Sequence, residues 1–141
     1  MIFQETDKRI FEALTNSIPE WWTEMFEGAS NAQGQTFTIR FGNNVFKTLL
    51  IDELIPYKKV VWQVTDSLID IPELKNKTEW INTKIVWEIT DQDNQTELLL
   101  THIGLTSQIE CYTICANGWN SFTDSLKSFV LTGKGEPFKQ Q

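Results

Sequence analysis

The sequence predicts a single α+β domain in which a curved antiparallel sheet wraps around one long C-terminal helix. Three observations predict it. Five stretches between Thr36 and Gly104 alternate apolar and polar residues with the period of a half-buried strand. Most of the links between them are of hairpin length, which makes sequential strands antiparallel neighbours. From about Ile109 the period turns helical: Cys115, Trp119, Phe122, Leu126 and Phe129 recur at spacings of four, three, four and three, one apolar stripe on a long helix.

Each element follows from local chemistry. Thr6 or Asp7 caps a short helix over about Lys8 to Thr15, with Ile10, Phe11 and Leu14 on one side. Pro19 suits the first turn of a second short helix that carries Trp21 and Trp22. The segment Glu27 to Gln35 is small, polar and Gly-containing and reads as a connection. Phe37, Ile39 and Phe41 share a strand face, and Gly42-Asn43-Asn44 reads as a hairpin turn. A strand from about Val45 to Leu54 ends at Pro56-Tyr57-Lys58, and Val60, Trp62 and Val64 share a face of the next. Asp66 to Lys77 is polar and Pro-containing and reads as a longer loop. Ile85, Trp87 and Ile89 alternate, a turn is expected at Asp91 to Asn94, and the last strand ends near Gly104. Gly133 is suited to cap the final helix, and Pro137 stops its continuation.

At 141 residues the chain has the size of one domain. It is long enough to bury roughly 68–70% of the surface its unfolded form exposes, so no staple is required. The formal net charge is -7, and the 12 Lys and Arg residues are scattered, which argues against nucleic acid and acidic membranes as partners. No apolar run reaches the roughly 18 residues of a membrane span. The N-terminus lacks the pattern of a signal peptide, so a cytoplasmic location is expected. Six Trp and nine Phe are many for this length, and they either fill a core or line a cavity.

Several pieces of the chain resemble a known family. Thr101-His102 followed by Gly104, then Gly118-Trp119, Leu126-Lys127-Ser128 and Thr132-Gly133-Lys134-Gly135 resemble the C-terminal part of single-domain bacterial proteins related to the activator of the heat-shock-protein-ninety ATPase. Those belong to the START/SRPBCC superfamily with the helix-grip fold. EALTNSIPEWW resembles the family's first helix and Trp-bearing turn, while KKVVWQV and TEWINTKIVWEIT resemble its middle strands. The resemblance implies one domain over 1–141, with a first strand that is short or truncated because only about Met1 to Glu5 precedes the helix. It also implies a cavity between sheet and helix that takes an apolar or amphipathic small molecule. A protein-interaction module of the chaperone-activating type, or a cyclase- or hydrolase-like enzyme in the same pocket, are the alternatives. A fold of this kind hosts many functions, so the site must decide.

Trp22, Trp62, Trp87 and Trp119 are candidate cavity walls, together with Phe37, Ile39, Val64, Leu100 and Phe122 on the inner faces. His102, the only histidine, turns inward if Leu98 and Leu100 do, and with Glu110 and Tyr112 it is a candidate polar anchor; the plainer reading is a buried histidine bonded to its neighbours. Cys111 and Cys115, four apart, and His102 could hold zinc only with an open position, and core packing is the favoured reading of both thiols. No catalytic residue, metal or cofactor is assigned. The expected partners are a small apolar or amphipathic molecule and a possible chaperone or other protein, with the chain a monomer or homodimer.

Overall fold

The computed structural model describes residues 1–72, 75–78, 80–92, 94–104 and 112–139, of which 112–115 are described in backbone only. Among them a seven-stranded antiparallel sheet curves around a 21-residue helix, as the sequence predicts. In chain order the elements are β1 (Ile2–Phe3), α1 (Asp7–Thr15), α2 (Ile18–Trp21), β2 (Phe26–Gly28), β3 (Thr36–Arg40), β4 (Val45–Ile55), β5 (Lys59–Ile69), β6 (Lys84–Gln92), β7 (Gln95–Ile103) and α3 (Tyr112–Thr132). The strands lie in the order β1-β7-β6-β5-β4-β3-β2.

Local signals account for most boundaries. The Thr6 hydroxyl accepts the Arg9 N–H at 3.2 Å and so caps α1. Tyr57, at φ 65, turns β4 into β5. Gly133, at φ +82, ends α3 in the left-handed region and donates its N–H to the Phe129 carbonyl at 2.8 Å.

Three expectations need correction. The sheet has seven strands and not five, because β1 and β2 are two and three residues long, too short for any period to show. The expected connection from Glu27 gives its first two residues to β2, which stops at Gly28, where a Cβ would lie 2.5 Å from the Thr36 carbonyl oxygen. The loop expected from Asp66 begins four residues later, because β5 continues to Ile69 through a bulge. Thr48 pairs with Asp66 and Leu49 with Val64, which leaves Thr65 as the extra residue. One extra residue inverts the alternation: Val60, Trp62 and Val64 are buried before it, Ser67 and Ile69 after it. The broken alternation is what made the strand look finished. The start of the final helix expected near Ile109 lies outside the described residues.

The interior is dominated by indoles. Trp21, Trp22, Trp62 and Trp87 are fully buried and meet in ring contacts of 5.5–6.1 Å between centroids, with Leu126 and Val130 of α3 and Ile10 and Leu14 of α1 closing the core around them. After α3 the chain returns along the Trp21–Glu24 segment. Phe138 donates its N–H to the Trp22 carbonyl at 3.0 Å and accepts the Glu24 N–H at 3.0 Å, while the Ser125 hydroxyl donates to the Trp21 carbonyl at 2.6 Å. These bonds hold Trp22 at the edge of the packed core.

Candidate functional site

At the β3–β4 hairpin end of the sheet the packing opens into a cavity of about 260 Å³ between the strands and α3. Phe41 follows β3, Val45 and Lys47 start β4, Ile69 ends β5, and Ile71 and Trp80 belong to the β5–β6 connection; Trp22 closes one wall, and Gly118, Trp119 and Phe122 come from α3. The bulge in β5 is what brings Ile69 to this inner face. Gly118 contributes space: a Cβ there would meet nothing nearer than the Phe122 ring at 3.8 Å, which is ordinary contact.

One charged side chain stands among these walls. Lys47 has the inward parity of Val45, Leu49 and Ile51, and it is only 6% exposed. Its ammonium lies 4.3 Å from the centroid of the Trp80 ring and 5.0 Å from that of Phe41, so two cavity walls are also cation–π partners. Ser67 faces it directly across the β4–β5 ladder, is 1% exposed, and its hydroxyl has no hydrogen-bond partner.

His102 braces two of the walls. The Trp119 indole N–H, which can only donate, points at Nδ1 at 3.1 Å, so Nδ1 carries no proton. Nε2 therefore holds the hydrogen and donates to the Thr83 hydroxyl at 2.9 Å, and Thr83 donates to the Trp80 carbonyl at 2.6 Å. The ring also sits edge-on to Trp80, 4.5 Å between centroids. A neutral imidazole satisfies every member of this chain. Burial first, and the Lys47 charge second, lower the His102 pKa to about 4.

The residues singled out in the sequence divide accordingly. Trp22, Trp119 and Phe122 line the cavity. Phe37, Ile39, Trp62, Val64 and Trp87 face inward but lie in the packed core, each at most 1% exposed, and Leu100 is half-buried against that core. His102 stands behind Trp119 and not on the cavity surface. Glu110 and Cys111 lie outside the described residues, and of Tyr112 and Cys115 only the backbone is described. Among the described residues no three His, Cys, Asp or Glu side chains converge on a metal position. Sequence reasoning missed Phe41, Val45, Lys47, Ile69, Ile71, Trp80 and Gly118 as cavity walls. The signal for Lys47 was present, since it interrupts the apolar parity of β4; Trp80 sits in a connection, where no period exists to reveal it.

No helix among the described residues is long and apolar enough to cross a membrane. The family model described as "Activator of Hsp90 ATPase homolog 1-like protein" matches residues 6–130. The chain is similar to the Aha1 dimer from Colwellia psychrerythraea, with 27% identity, a TM-score of 0.75, and 96% of this chain and 95% of that one covered. It shares its fold with SSP2350 from Staphylococcus saprophyticus (15% identity, TM-score 0.70, 99% and 96% covered) and with CalU16 from Micromonospora echinospora (16%, 0.66, 96% and 65%). Comparison with curated protein sequences finds no match.

Proposed function

We infer a function from two facts: the chain belongs to the Activator of Hsp90 ATPase homolog 1-like family, and a cavity opens between its sheet and α3 at the β3–β4 hairpin end. The reading they support is a binding protein that takes a small, largely apolar molecule into the cavity between the sheet and α3. The observation that carries it is the cavity itself, about 260 Å³ walled by Trp22, Phe41, Ile69, Trp80, Trp119 and Phe122. Apolar walls with a few polar groups are the usual make-up of a small-molecule site. An acid–base enzyme reading finds less support, because both nitrogens of His102 are committed to neighbours.

Calorimetric titration with octanol, a neutral apolar probe, tests this reading on the wild type and on Gly118→Leu. The added side chain has room to grow into the cavity and removes a glycine from a helix interior, so the variant folds. Octanol is expected to bind the wild type and to lose about ten-fold or more in affinity in the variant, a change of ~1.4 kcal/mol. Equal binding by both proteins would remove the cavity from consideration as the site.

A further inference from the structure

We propose that His102 is a positioning residue of the cavity: one imidazole holds two indoles of its inner wall, Trp80 and Trp119, and the affinity for a bound molecule depends on that hold. The proposal rests on the reading of the cavity as a binding site and adds a residue that sets its shape without touching the occupant. Trp80 and Trp119 are 4% and 7% exposed, whereas Phe41, Val45, Ile71 and Phe122 are only partly buried. The two indoles therefore belong to the inner wall, and the partly buried residues to its mouth.

These indoles come from parts of the chain that no ladder joins, Trp80 from the β5–β6 connection and Trp119 from α3. They nonetheless lie within 14° of parallel. His102 of β7 meets both edge-on, with centroids 4.5 Å from Trp80 and 5.9 Å from Trp119. Its Nδ1 accepts the Trp119 N–H, while Nε2 donates to the Thr83 hydroxyl, which in turn donates to the Trp80 carbonyl. The bare Nδ1 is the resting form of the ring, because burial and the Lys47 charge on β4 both disfavour its protonation. An indole nitrogen can only donate, so a Trp119 deprived of Nδ1 regains a hydrogen bond by turning its N–H toward water. The open side of Trp119 is the cavity, so that turn takes up the space an occupant needs. Binding would have to reverse the turn, and the affinity falls by what the reversal costs.

The test is calorimetric titration with octanol at neutral pH on the wild type and three variants. His102→Leu keeps an apolar side chain at the position and removes the acceptor; it is expected to bind octanol about five-fold more weakly or worse. His102→Asn brings an amide oxygen near the place of Nδ1 and is expected to return the affinity to within about two-fold of the wild type. Leu98→Ala truncates a fully buried side chain of the same strand that is not a cavity wall; it is expected to lower stability and leave octanol binding unchanged. Equal binding by wild type and His102→Leu, no recovery in His102→Asn, or an equal loss in Leu98→Ala overturns the proposal and leaves the binding site standing. If the wild type does not bind octanol, the cavity reading and the proposal fall together. Should either His102 variant fail to fold, NMR of the wild type decides, since His102 is the only histidine and its ring nitrogens are identified directly. Saturating octanol is expected to shift the Nδ1 signal through Trp119, and a signal that stays in place overturns the proposal.

Discussion

The two ends of the interior use the same residue types to opposite effect. Around α1, Trp21 and Trp62 each meet Trp87 edge-on, and all three rings are fully buried. At the β3–β4 hairpin end, Trp80 and Trp119 lie nearly parallel, 6.0 Å between centroids, and stand beside a void. The difference lies in what surrounds the rings. The packed end is closed by Ile10 and Leu14 of α1 and by Leu126 and Val130 of α3, whereas the open end meets Gly118, where α3 offers no side chain, and Lys47, a charged residue where β4 otherwise turns apolar side chains inward. An indole fills space only where its neighbours supply the complementary volume.

The largest expected effect breaks the packed end directly. Trp62→Ala should cost about 3–5 kcal/mol of unfolding free energy, while Trp80→Ala, beside an existing void, should cost about half as much. Denaturant unfolding of both variants measures this, and equal losses would mean that the two ends are packed alike.

Next in size is acid sensitivity at the open end. His102 titrates at about 4 in the folded protein against an ordinary value of 6.5. Above 6.5 the ring is neutral in both states. As pH falls from 6.5 to about 4, the unfolded chain takes up a proton that the folded protein refuses, so stability is lost over that window, on the order of 3 kcal/mol. Protonating Nδ1 also takes away the acceptor of the Trp119 N–H. The extra loss of wild type over His102→Gln, followed by thermal unfolding from pH 7 to 4, should show that window; matching profiles would remove His102 as its source.

The smallest effect sharpens the comparison within the packed end. The Trp21 N–H donates to the Ala13 carbonyl at 2.8 Å, whereas the Trp87 N–H is buried without a partner. Trp21→Phe strands a carbonyl and Trp87→Phe relieves an orphaned donor, so the first should be the more destabilising by about 1–2 kcal/mol.

What the sequence disclosed follows the same division. Period-two patterns revealed the inner faces of β3 to β7, and the helical stripe revealed α3, because burial on one side imposes a period. The same patterns treat every inward residue alike, so Phe37 and Trp62 looked as much like cavity walls as Trp119. Which end stays hollow depends on the bulge at Thr65, on the missing side chain at Gly118 and on Trp80 in a connection, none of which has a periodic signature. His102 was legible as an inward polar group, and the network shows the plainer of its two readings, a buried ring bonded to its neighbours.

The ring contacts carry an optical consequence. All six tryptophans belong to one connected array, from Trp80 through Trp119 and Trp22 to Trp21, Trp62 and Trp87, with no step longer than 6.1 Å. At such separations excitation migrates between indoles before it is emitted, so the glow of the protein belongs to the array and not to any single ring. A molecule that settles against Trp119 and quenches it would also dim light absorbed at Trp87 or Trp62, away from the cavity walls. The solid end of the core thus acts as an antenna for the hollow one.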